Sequence, residues 1–161
     1  MSEPYTYPRK GSIDDPLRIA VLISGSGSGL LSLLKHQQSN QCPHVTKLII
    51  SDNVNAGGLH HGGIFEISTA AIPLPRSSDK NQQRTLHENL IHEKLINSKI
   101  ELIVLSGYMR ILTSVFVKKW KGRIINIHPS LLPKYPGAHA HRDALADGAE
   151  ITGCTVHLVD E

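Results

Sequence analysis

Long apolar runs are missing from this 161-residue chain, and no stretch approaches the roughly 18 apolar residues of a membrane span. The start, Met-Ser-Glu-Pro-Tyr-Thr-Tyr-Pro, lacks the apolar centre of a signal peptide. Aromatic residues are scarce at 4%, which excludes broad stacking platforms for single-stranded nucleic acid. No block of like charges runs long enough to wrap a nucleic acid. Cysteine is limited to Cys42 and Cys154, which form no CxxC and show no metal-ligand spacing. A reduced, cytoplasmic setting is therefore expected, with no membrane and no nucleic-acid partner.

What is present is the makeup of a soluble globular domain, with 40% hydrophobic and 19% charged residues. The length suits one domain with a real core. A net charge of +3 is mildly basic and fits a small phosphorylated substrate without demanding one. Residues 1–16 are polar and proline-bearing, and read as a disordered tail with no role in the chemistry. From Leu17 onward, short β-rich runs alternate with helical ones. Strands are expected at Arg18–Ile23, Val45–Ser51, Ala70–Leu74, Ile100–Leu105, Arg123–Ile127 and Cys154–Val159. Helices are expected at Leu30–Gln38, Leu59–Ile67, Asn81–Asn97, Thr113–Trp120 and His139–Asp147, the third with Leu86, Leu90, Ile91 and Leu95 on its buried face. This alternation predicts an α/β domain over 17–161: a Rossmann-like, open, mostly parallel sheet with helices on both faces.

Three segments carry candidate chemistry. In Asn126-Ile-His-Pro-Ser-Leu-Leu-Pro-Lys-Tyr-Pro136, Asn126 and His128 lie two apart on a strand and point the same way. Pro129 ends that strand, because it has no N–H for the ladder. An amide and an imidazole then sit at a carboxyl strand end, where open α/β sheets bind ligands. They suit polarising a carbonyl and moving a proton, and they equally suit a packed His beside a turn-capping amide. The first strand ends in Ser24-Gly-Ser-Gly-Ser-Gly29, where glycines permit a tight turn and helix-start N–H groups attract phosphate. It is neither a P-loop nor a full dinucleotide fingerprint, and it also reads as a plain structural turn. After the fourth strand, Met109, Ile111 and Leu112 place flexible apolar surface beside Arg110, which suits a flat heteroaromatic ring or ordinary strand–helix packing. His139 and His141 form His-x-His, but no third ligand completes a metal set, so no metal is expected. His60, His61 and His92 read as helix-surface residues, while Thr155 and His157 share one strand face.

The longer string around His128 resembles the signature of the folate-dependent formyltransferases, in which Asn-x-His precedes Ser-Leu-Leu-Pro. Lys134-Tyr-Pro-Gly137 followed by His139 is similar to the branch that formylates glycinamide ribonucleotide (GAR) in purine synthesis. Related branches that act on methionyl-tRNA or sugar nucleotides share the core string, and a non-catalytic nucleotide-binding relative is a further alternative. The resemblance implies catalytic roles for Asn126 and His128. It implies folate contacts from Arg84, Met109, Arg110, Ile111, Leu112 and Asn126, and a GAR-phosphate loop at Gly27, Ser28 and Gly29, where the family usually has Asn in place of Gly29. His139, Thr155 and His157 would support the site. The implied co-substrate is 10-formyltetrahydrofolate, with GAR and folate as small-molecule partners, no metal, and a monomer or homodimer.

The family also places an Asp in a Leu-Asp-Gly-like string just past the position of Glu161, with further strands and a closing helix. The expectation is therefore of a domain lacking its C-terminal part, with Val156 and Leu158 facing water. Uncovering ~200 Å2 of apolar surface would forfeit about 5 kcal/mol.

Overall fold

The computed structural model describes residues 4–161. Six strands, β1 (Leu17–Ile23), β2 (His44–Ser51), β3 (Ser68–Ala71), β4 (Leu102–Ser106), β5 (Ile124–His128) and β6 (Thr155–Leu158), form one sheet in the order β3-β2-β1-β4-β5-β6. All pairings are parallel except β5 with β6, which is antiparallel. Strand order reverses at β1, between β2 and β4, so the connections after β1 and β4 leave toward opposite faces of the sheet and frame a crevice at its carboxyl edge. The expected open, mostly parallel α/β sheet is the observed one.

Among the described residues five α-helices connect the strands: α1 (Ser28–Ser39), α2 (His60–Phe65), α3 (Lys80–Asn97), α4 (Ser114–Lys119) and α5 (Ala140–Ala146). One core packs α3 and α4 on the sheet through Leu22, Ile50, Ile91, Leu95, Phe116 and Trp120. The other packs α1 through Leu30 and Leu34 against Val21, Ile23 and Val104. Central β1 is buried on both faces, as its unbroken apolar run requires. Asp79 caps α3 by accepting from the Asn81 and Gln82 amides at 2.9 and 3.3 Å.

Several expectations need correction. The third strand ends at Ala71 rather than Leu74, because Pro73 has no N–H and the Ile72 amide makes the last bond, to the Ser51 carbonyl. On α3 the inward face carries His87, Glu88, Ile91 and Leu95, whereas Leu86 and Leu90 are exposed. The polar pair is accepted inside because each is bonded there: His87 to the Ile72 carbonyl at 2.7 Å, Glu88 to the Thr113 amide at 2.8 Å. His92 is not a bare surface residue, since its Nδ1 accepts from the Trp120 indole at 3.0 Å.

The N-terminal segment is not a disordered tail over residues 4–16. Arg9 reaches Glu101 at 2.6 Å, the Thr6 amide donates to the Lys121 carbonyl, and the Tyr5 hydroxyl donates to Asp160. Hydrogen bonds and the Arg9–Glu101 ion pair thus hold a segment that has no apolar periodicity. Residues 1–3 of the expected tail lie outside the described residues.

On the α1 side, no described element covers the sheet next to β6. A cleft of about 270 Å3 opens there, lined by Leu33, Leu102, Ile125, Ile127 and Val156. Val156 and Leu158 face water, at 58% and 42% exposure, as expected from the sequence.

Candidate active site

The site is assembled from three loops at the carboxyl edge of the parallel strands. Asn126 and His128 stand on β5, and register pairs them with His157 and Thr155 of β6. Alternation puts all four on the face shared with Ile124, the α3/α4 side. Both β5 residues are half-buried rather than sealed in a core.

Hydrogen bonds define their orientation. His157 Nδ1 lies 3.0 Å from the Leu158 carbonyl, which can only accept, so Nδ1 carries the proton. Its Nε2 then accepts from the Asn126 amide at 3.3 Å. This leaves Asn126 one amide hydrogen to offer a ligand. His128 Nε2 donates to the Tyr135 carbonyl at 3.0 Å, tying the ring to the loop that follows β5. Tyr135 holds φ 51°, and its hydroxyl donates to Asp147 at 2.6 Å, which raises the phenol's pKa. Thr155 clamps the same loop, donating to the Ser130 carbonyl at 2.7 Å and accepting from the Leu132 amide at 3.1 Å. Thr155 thus acts on the loop, and His157 acts on Asn126. His139 sits exposed at the start of α5 without capping it.

The glycine loop lies after β1. Gly27 has φ 69°, and a Cβ there would meet the Gly58 Cα at 2.9 Å, so the position requires glycine. At Gly29 a Cβ would meet Ser106 Oγ at 2.5 Å, so any side chain there would need Ser106 to rotate. Residues 24–29, with Ser106, Gly107 and Met109, line a cleft of about 250 Å3. His61 contacts the Ser26 carbonyl at 3.1 Å, so it belongs to this loop and not to an idle helix surface.

A second cleft, of about 410 Å3, is lined by Arg84, His87, Glu88 and the segment Tyr108–Leu112, together with Leu74. The structure therefore brings Arg84 to Met109, Arg110, Ile111 and Leu112, with the Arg84 guanidinium donating to the Ile111 carbonyl at 3.0 Å. Asn126 is not part of this lining. Met109 borders both clefts and joins them. Burial pushes the Tyr108 phenol well above its ordinary pKa, with the Asp52 carboxylate adding to the shift, so it stays neutral.

Sequence reading missed the anchor between these clefts. Asp52, after β2, accepts from Ser24 Oγ at 2.7 Å and pairs with the Arg110 guanidinium at 2.9 Å. Ser24 Oγ in turn accepts from the Met109 amide at 2.9 Å. One carboxylate thus locks the loops after β1 and β4 together. The only local signal was an Asp directly after a buried strand. Asp160 and Glu161 are engaged elsewhere, by Tyr5, Lys118 and Lys121.

An open, mostly parallel sheet with a glycine turn after β1 and an Asn/His pair ending β5 places the chain in the doubly wound α/β class, whose ligand sites lie at the carboxyl ends of the strands. Residues 17–161 match the formyl transferase family, and the chain belongs to it. It is 43% identical over 145 residues to the trifunctional purine biosynthetic protein adenosine-3 of Chironomus tentans, covering 89% of this chain. It is 38% identical over 145 residues to the phosphoribosylglycinamide formyltransferase of Escherichia coli, covering 90% of this chain. The chain spans 10% of the length of the first and 66% of the second. The crystal structure of phosphoribosylglycinamide formyltransferase from Brucella melitensis superposes with a TM-score of 0.83 at 39% identity, covering 91% of this chain and 74% of that one.

Proposed function

We propose that the protein transfers the formyl group of 10-formyltetrahydrofolate to the amine of 5-phosphoribosylglycinamide, in purine biosynthesis in the cytoplasm. The observation that carries this reading is the Asn126–His128 pair, half-buried on one face at the carboxyl end of β5. At the same sheet edge, the loops after β1 and β4, the next strands in the order, line a glycine-rich cleft suited to phosphate and a mixed apolar–cationic cleft suited to a pterin. Family membership and the names of the relatives point the same way.

Attack by the amine on the formyl carbon yields a tetrahedral intermediate with a negative oxygen and a positive nitrogen. The free Asn126 amide hydrogen stabilises that oxygen, and the imidazole of His128 adds positive charge when protonated. His128 then delivers a proton to the departing folate nitrogen, once its Nε2–H leaves the Tyr135 carbonyl, and the proton shed by the attacking nitrogen restores the imidazolium. His157 fixes the amide, and Thr155 holds the loop that carries Tyr135. Gly27, Ser28 and Gly29 receive the phosphate through backbone N–H groups, since the loop has no basic residue of its own. The folate ring occupies the cleft of Arg84 and Met109–Leu112. No step requires a metal.

The test supplies both substrates and follows loss of the formyl-folate absorbance and formation of formylated GAR. Transfer that requires GAR and disappears in His128→Ala supports the proposal. Transfer to methionyl-tRNA or an amino-sugar nucleotide in preference to GAR would reassign the acceptor, and binding of both ligands without turnover would make the chain a non-catalytic relative.

A further inference from the structure

Away from the clefts, at the amino end of the sheet, three side chains converge that the formyl-transfer chemistry does not use. His36 lies in the last turn of α1, Cys42 in the loop that follows, and His44 opens β2. One potential ligand atom from each falls within 4.8 Å of the other two, the only such group of three among the described residues. The spacing His-x5-Cys-x-His attracts no notice in the sequence because its first member belongs to a helix and its last to a strand. Folding brings them to one side of the α1–β2 turn, with the two rings roughly parallel and their centroids 6.3 Å apart.

Neighbouring amides define where the lone pairs sit. The Thr46 N–H can only donate, and it lies 3.2 Å from Gln37 Oε1, with Thr46 Oγ1 at 2.9 Å. Gln37 must then turn its NH2 toward His44, whose Nδ1 is 2.8 Å away and accepts. Asn40 Nδ2 likewise donates to the His36 carbonyl at 2.8 Å, so the same NH2 faces His36 Nδ1 at 3.3 Å. Each Nδ1 therefore presents a lone pair, as a metal ligand must.

We propose that His36, Cys42 and His44 form a binding site for a divalent transition-metal ion of the zinc class, with a fourth position open to water. Imidazole nitrogen and thiolate sulfur are the donors such ions select, whereas magnesium and calcium need oxygen. On one ion, with Zn–N of about 2.0 Å and Zn–S of about 2.3 Å, donor atoms stand roughly 3.5 Å apart. Closing from the observed separations takes side-chain rotation at a half-buried to exposed surface, with no strand displaced. Each imidazole exchanges its amide contact for the metal bond, and the Cys42 thiol loses its proton to solvent on binding. Three protein ligands hold an exchangeable ion that staples the end of α1 to the start of β2, remote from His128.

Cobalt(II) is the probe, added to the full chain free of any polyhistidine tag. Binding of one equivalent with a thiolate-to-cobalt charge-transfer band is expected, retained in Cys154→Ser and lost in Cys42→Ser. His36→Gln and His44→Gln should each weaken cobalt binding by at least about 10-fold. In the unaltered chain, zinc should slow alkylation of Cys42 and not of Cys154, a readout that needs no variant to fold. A charge-transfer band that survives Cys42→Ser, unchanged affinity in both histidine variants, or Cys42 alkylation indifferent to zinc would each overturn the site.

Discussion

The loop after β1 and the loop after β5 lie at the same carboxyl edge of the sheet but are built by opposite means. Residues 24–29 alternate serine with glycine and carry no titratable side chain. Their geometry rests on what is missing, a Cβ at Gly27 with φ 69° pressed against Gly58. The β5 loop is held by side chains: His128 on Tyr135, Thr155 on Ser130 and Leu132, Tyr135 on Asp147. A subsite made from N–H groups attracts any phosphate and changes little during a reaction, whereas one made from titratable side chains can follow charge as it develops. On the proposed reading, binding belongs to the first and chemistry to the second.

That division predicts which substitutions alter which constant. The largest effect should come from His128→Ala, lowering kcat by about 10²–10⁴-fold with the KM for GAR little changed. A drop confined to KM would reverse the roles of the two loops. Gly27→Val should act the other way, raising the KM for GAR by at least about 10-fold, while the folate KM and kcat stay near their original values. Equal loss toward both substrates, with the circular dichroism unchanged, would erase the separate phosphate subsite.

Asp52→Asn probes the seam between the clefts. It removes the ion pair to Arg110 and weakens the anchor for Ser24, so both KM values should rise together and stability should fall by about 1 kcal/mol. A change in one KM alone would separate the clefts. The smallest effect is expected far from the crevice, at Glu101. Its carboxyl is held below the ordinary range, first by the Arg9 hydrogen bond and then by the Arg18 backbone N–H and the two guanidinium charges. That stabilisation is complete above the ordinary carboxylate pKa and is lost as pH falls through the lowered folded value. Glu101→Gln should therefore melt below the parent at neutral pH, and the gap should narrow in acid. A gap that widens in acid would show that the pair does not act through this titration.

How much of this could be read beforehand follows from the same contrast. Asn126 and His128 were legible because strand alternation and Pro129 fix their direction within a few residues. The turn of the glycine loop was legible because glycine itself marks a backbone that no side chain fits, as at Gly27. Asp52, Ser24 and Glu88 were not, since each matters only through a residue from a distant loop, and nothing local marks Asp52 as the partner of Arg110. Helix α3 misled for a related reason. Leu86 and Leu90 look like core, yet the face one residue on is buried because His87 and Glu88 find partners there. His36, Cys42 and His44 show the same limit, for their grouping exists only once α1 packs beside β2.

Strand β1 sits mid-sheet, yet its two neighbours are unequal in time. It pairs with β2 after one short helix, but Ile19 meets Leu102 only when a long intervening stretch has closed. Loop closure over that distance must precede the contacts that reward it, so folding should be slow for a domain of this size. Amide hydrogen exchange should record the consequence, with β1 protected up to global unfolding and the outer, half-wetted β6 opening first. The strand pair that carries Asn126 and His157 thus lies toward the less stable side of the sheet, where the β5 loop can breathe without the core giving way.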